Sequence, residues 1–129
     1  VVRFHSGAPF FTSKREVEME INEYQKLAMR TANPNLNPKQ QLVNAALGLT
    51  GEAGEFADLV KKIEFQGHKP DLEHLAKELG DICWYLALAA SSLDIPLEEI
   101  FELNIDKLKK RYPDGFEASK SEHRKVGDV

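Results

Sequence analysis

Apolar residues recur through positions 42–93 in alternating steps of four and three. The first set is Leu42, Ala46, Leu49, Ala53, Phe56, Val60 and Ile63; the second is Leu72, Leu75, Leu79, Ile82, Leu86, Ala89 and Leu93. At about 100° per residue each set forms one seam along one side of a helix. Gly67 lies between the two runs, suited to a left-handed C-terminal position, and Pro70 or Asp71 can open the next helix. The pattern predicts two long antiparallel helices that turn near Gly67 and bury their seams against each other.

The rest of the chain reads as helix with short breaks. Ser13 and Glu16 have capping-box spacing, and Val17, Ile21, Tyr24, Leu27 and Ala28 share a face, which predicts a first helix over 13–31. The Asn/Pro-rich stretch 33–38 breaks it. Asn37, Pro38 and Gln40 then supply an N-cap, a first-turn proline and a third-position partner for a helix over 38–65. The stretch 91–96 ends the third helix. Leu97, Ile100, Phe101, Leu103, Ile105 and Leu108 mark a fourth over 97–112, stopped by Pro113, Asp114 and Gly115. The polar tail 117–129 either wraps or frays. Residues 1–12 show no helical period but carry Phe4, Phe10 and Phe11, so they form either a free arm or one that packs on a partner. No strand period is present. The expectation is one all-α domain over 1–129.

Val43, Leu47 and Leu59, then Trp84, Leu88 and Ala90, are apolar off the seams. Helices apolar on more than one side need more neighbours than one small bundle supplies. That favours a homodimer, or a dimer of dimers.

Composition narrows the function. The 129 residues are 42% hydrophobic and 29% charged, the profile of a globular protein, and no run is long and apolar enough to span a bilayer. A net charge of −4 argues against a general nucleic-acid binder. Lys107, Lys109, Lys110 and Arg111 are a local basic exception that suits a small polyanion. The one cysteine, Cys83, can make no internal disulfide and reads as a packing residue beside Ile82. With no secretory signal visible, the expected location is cytoplasmic.

The helical hairpin also places acids. Glu52 and Glu78 fall roughly 70° off their seams, and Glu55 and Asp81 roughly 130° off, on the same rotational side. Both pairs are similarly far from Gly67, so all four carboxylates open onto one flank at one height. Like charges this close repel, and a hard divalent cation is the simplest remedy. Oxygen ligands alone favour Mg²⁺ or Mn²⁺ over zinc or copper. His68 and His74 have no cysteine or histidine partner at zinc spacing.

These residues carry a resemblance. Gly51-Glu52-x-x-Glu55, then Glu78-x-x-Asp81 after a helical hairpin, resembles the signature of MazG-like all-α NTP pyrophosphohydrolases, a superfamily that includes dCTP pyrophosphatases and dimeric dUTPases. The likeness extends to 79–86 and to Asn104-x-x-Lys107-x-x-x-Arg111-Tyr112-Pro113, and spans about 20–116. The usual motif opens with two acids, and here Gly51 takes the first place. The resemblance implies a four-helix MazG-like bundle in an intertwined homodimer or homotetramer. It implies Mg²⁺-dependent hydrolysis of an NTP or dNTP to the monophosphate and pyrophosphate, in nucleotide-pool house-cleaning. Glu52, Glu55, Glu78 and Asp81 would hold metal, and Glu55 would orient the water. Asn104, Lys107 and Arg111 would grip phosphates, and Tyr85 would stack on a base or ribose. For Lys107 and Arg111 the alternative is ordinary surface charge, and for Tyr85 it is packing. Gln25 is a further family-hinted contact.

Two other classes compete. A di-iron carboxylate bundle needs Glu-x-x-His pairs, and Asp81 stands where that histidine would be. A non-catalytic helical dimerisation or regulatory module would keep its function after loss of the acids.

Overall fold

The computed structural model describes residues 18–129. The arm at 1–12, the Ser13/Glu16 capping box and Val17 lie outside the described residues. Within them the chain is all helix with no strand: α1 (Ile21–Met29), α2 (Pro38–Phe65), α3 (Leu72–Ser92), α4 (Leu97–Arg111) and a short α5 (Ala118–Glu122).

Local signals set most boundaries. Asn37 accepts from the Gln40 amide at 2.9 Å while Gln40 accepts from the Asn37 amide at 3.0 Å, a complete capping box with Pro38 in the first turn of α2. Asp71 caps α3 by accepting from the His74 amide at 3.0 Å. Gly67 has φ of 69°, the left-handed conformation that a Cβ would strain. At the far end of α3, Asp94 takes φ of 56° and the Ile95 amide returns to the Ala90 carbonyl at 2.9 Å, which closes the helix. The fourth helix ends at Arg111, with Tyr112 as its C-cap.

The first helix is shorter than its pattern. Glu18, Met19 and Glu20 are exposed and non-helical, and Glu20 is extended at φ −79° and ψ 156°. Helix begins at Ile21, where side chains reach the core. A short helix with nothing to bury is marginal in water, so the exposed residues before Ile21 do not extend it.

The most extensive contact is between α2 and α3; α1 packs on α3 and α4. The buried cluster is built from small side chains, Ala28, Ala87 and Ala90 with Leu97, and Ile21, Tyr24, Trp84 and Ile100 pack around it. The Trp84 indole donates to the Ala28 carbonyl at 3.1 Å and the Thr31 hydroxyl at 2.9 Å, which ties α3 to the end of α1.

The hairpin seam is rotated from the expected one. Ala45 is 1% exposed, Leu49, Glu52, Phe56, Leu59 and Ile63 are half-buried, and Leu42, Ala46, Ala53 and Val60 lie open. On α3, Leu75 and Glu78 are buried, Ile82 and Tyr85 half-buried, and Leu79 and Leu93 exposed. Both helices turn roughly 60° toward their glutamates relative to the periodic pattern, taking about 100° per residue. The reason is size. The Tyr85 ring occupies the space a Cβ on residue 48 would fill, so α3 sits against α2 in a position that needs glycine there. Hydrophobic periodicity weighs apolarity and is blind to that fit. Cys83 is likewise exposed in the chain, not packed.

Candidate metal centre

The rotation carries Glu52 and Glu78 into the hairpin. One oxygen each from Glu52, Glu55 and Glu78 lies within 4.8 Å of the others. Their settings differ: Glu78 is 9% exposed, Glu52 half-buried and Glu55 open to solvent. Asp81, one turn beyond Glu78, is exposed and stands outside this trio, yet close enough to act on Glu52. Glu52 is pushed above the ordinary carboxylate range, first by burial, then by the charges of Glu55, Asp81 and Glu78. The folded chain therefore binds this proton more tightly than the unfolded one. The associated stability is present below the unfolded value and lost as pH rises through the folded one.

Two of the trio, Glu55 and Glu78, border a cleft of about 390 Å³, lined also by Gly51, Gly54, Asp58, Leu59 and His74. Gly51 and Gly54 have open space where a side chain would project. Asp58 turns to Lys61 (2.8 Å) and Lys62 (2.6 Å), whose hydrogen bonds hold its carboxyl down at about 2. Glu78 Oε1 lies 3.1 Å from His74 Nε2. Its other oxygen, Oε2, is buried with no hydrogen-bond partner among the described residues. A buried carboxylate oxygen normally has one. That orphan, beside two further carboxylates, is the donor set a hard divalent cation needs, so these residues fit one.

Sequence reasoning missed two residues of this cleft. His74 has no zinc partner in the sequence, yet its place one helical turn before Glu78 puts the two side chains on one face. Asp58 stands one turn beyond Glu55, the spacing that signals the same flank.

The other expected site residues are not gathered here. The Tyr85 ring lies against Gly48 and meets Trp84 edge-on at 5.0 Å between centroids. Asn104 is exposed on α4. Lys107 and Arg111 line a separate cavity of about 770 Å³ between α4 and the tail. Gln25 is used structurally: its amide nitrogen donates to the Ser91 hydroxyl and the Ile95 carbonyl, both at 3.1 Å, and its oxygen accepts from the Leu97 amide at 2.7 Å.

The described residues form an all-helical chain whose hairpin presents a carboxylate trio. Residues 40–116 match the MazG nucleotide pyrophosphohydrolase domain, and the chain is a member of that family. It is 36% identical over 104 residues to the Gene 37 protein of Mycobacterium phage L5, a match covering 72% of this chain and 89% of that protein. No solved structure matches the chain.

Proposed function

We propose that the protein is a Mg²⁺-dependent nucleoside triphosphate pyrophosphohydrolase, converting an NTP or dNTP and water to the monophosphate and pyrophosphate. Family membership supports the reaction class. The observation that carries the metal is the buried, unpartnered Oε2 of Glu78 beside Glu52 and Glu55. Mn²⁺ would serve the same oxygens.

Glu52, Glu55 and Glu78 would hold the cation, with Asp81 on the Glu52 side. A cation bound there would polarise phosphate oxygens, acidify water and offset charge developing at the α-phosphorus. His74, donating to Glu78 Oε1, holds that carboxylate in place and leaves Oε2 as its unpartnered oxygen. Glu55 is the most exposed of the trio and orients the attacking water, accepting its proton. Attack at the α-phosphorus breaks the bond to the bridging oxygen, and pyrophosphate leaves. Lys107 and Arg111 stand one turn apart on α4 and grip the departing phosphates, with Asn104 a turn earlier. Tyr85 would face the base or ribose from α3.

A second copy of the chain accounts for two further features. Leu47, Leu103 and Ile105 are 70%, 61% and 50% exposed, more apolar surface on α2 and α4 than a lone small bundle leaves uncovered. The acid cleft and the basic cavity are also separate within one chain, and a partner's α4 would bring the second to the first. A homodimer or homotetramer would answer both.

The test is pyrophosphate release from a panel of NTPs and dNTPs with Mg²⁺ and with chelator. Release with Mg²⁺ that falls at least about a hundredfold in Glu55→Gln supports the reading. Absence of release from every nucleotide, with wild type and Glu55→Gln alike, sinks it.

A further inference from the structure

Arg111, which would grip phosphate on the reading above, already has an anion in its grasp. Asp128 accepts from Arg111 Nε at 2.7 Å and from Nη2 at 2.6 Å, a two-pronged pair. Both side chains are shielded, 10% and 18% exposed. The Arg111 hydrogen bonds hold the Asp128 carboxyl below its ordinary range, with Arg124 and Lys107 adding to the pull.

The cavity around this pair is too large and too positive for one carboxylate. Lys107, Lys110, Lys120 and Lys125 line it with Arg111, against Asp106 and Asp128. Even with Lys120 discounted for its 2.9 Å bridge to Glu117, four cationic side chains face two carboxylate side chains across a space of about 770 Å³. A guanidinium fork accepts phosphate in the same two-pronged way as carboxylate, and a polyphosphate brings several charges where Asp128 brings one.

We propose that Asp128 is an internal stand-in for phosphate. The segment 123–129 latches over the basic cavity, and a polyphosphate chain displaces the carboxylate from Arg111 and frees that segment. This regulation rests on Arg111 being a phosphate-binding residue. A tethered carboxylate competes at an effective concentration in the millimolar range, so it weakens the apparent affinity for any anion that must replace it.

The probe is inorganic tripolyphosphate, titrated calorimetrically into the metal-free full chain. Wild type binds, Asp128→Asn binds about tenfold tighter, and Arg111→Lys binds at least about tenfold weaker. Amide exchange at 124–129 speeds up when tripolyphosphate saturates wild type. Equal or weaker binding by Asp128→Asn, or unchanged exchange at 124–129 at saturation, overturns the latch. Absence of binding by all three proteins overturns the anion site. Pyrophosphate release is measured in parallel: inactivity toward every nucleotide with the displacement intact removes the enzyme reading and leaves the latch supported.

Discussion

Glu78 is the residue on which the centre turns, because it holds a charge inside the hairpin with one oxygen unanswered. Glu78→Gln keeps the shape and removes the charge. Without metal the variant should be the more stable by about 1 kcal/mol, since repulsion from Glu52 and Glu55 is relieved. It should also lose the rise in melting temperature that Mg²⁺ gives wild type. Calorimetry with and without Mg²⁺ reads both effects, and an undiminished metal response in Glu78→Gln counts against the centre. Asp58 contributes in the opposite sense to Glu52. Its folded-state carboxyl is lowered to about 2 from an ordinary 3.8, so its stabilisation is present above 3.8 and lost as pH falls toward 2. Denaturant midpoints of wild type and Asp58→Asn should differ at pH 6, draw together as pH falls through about 2, and converge below it. The convergence of Glu52, Glu55 and Glu78 was legible from spacing, because the hairpin that turns at Gly67 puts the three on one flank. The depth of Glu78 was not, because burial follows from how the helices are rotated, a property of two surfaces together.

At the scale of the elements, local chemistry was readable and mutual fit was not. The capping box of α2 lies within four residues, so the sequence spells it out. The contact between Gly48 and Tyr85 joins positions on two helices, and hydrophobic spacing carries no information on it. Glycine substitutions separate the two cases. Gly48→Ala meets the Tyr85 ring and should destabilise the chain by about 1–3 kcal/mol through overpacking. Gly51→Ala meets open space and should stabilise α2 by about 0.5–1 kcal/mol. Thermal unfolding of the two variants should move in opposite directions, and a shared direction would refute the rotated seam. The start of α4 is a second long-range device. Pro96 offers no side-chain cap, so Gln25 takes the Leu97 amide at 2.7 Å and Asn22 takes the Glu98 amide at 3.1 Å, both from α1. Gln25→Ala leaves part-buried groups unpaired and should cost about 1–3 kcal/mol, whereas exposed Asn22→Ala should cost about 1 kcal/mol or less. Urea midpoints of the two variants should rank in that order.

At the scale of the whole molecule, the chain leaves much apolar surface uncovered. Val43, Leu47, Phe101, Leu103 and Ile105 are each at least 40% exposed. Of the off-seam apolar positions read from sequence, Val43 and Leu47 are exposed, whereas Leu88 and Ala90 are buried within the one chain, and the inward rotation of the hairpin adds Leu79 and Leu93 to the uncovered set. The purified protein should therefore sediment as more than one chain. Leu47→Glu should shift it toward a single chain and lower its melting temperature at low concentration; a wild type that sediments as a single chain at high concentration would refute the assembly.

The borrowed amides at the head of α4 tie distant parts of the chain into one event. Positions 22 and 25 are over seventy residues from the groups they satisfy, so α4 gains its first secure turn only after α1 has docked. Loss of α1 would unravel α4 from its start, and the aim of Lys107 and Arg111 would drift with it. A change at residue 25, on a helix that carries none of the clustered carboxylates, would then be felt at the far end of α4 through orientation alone.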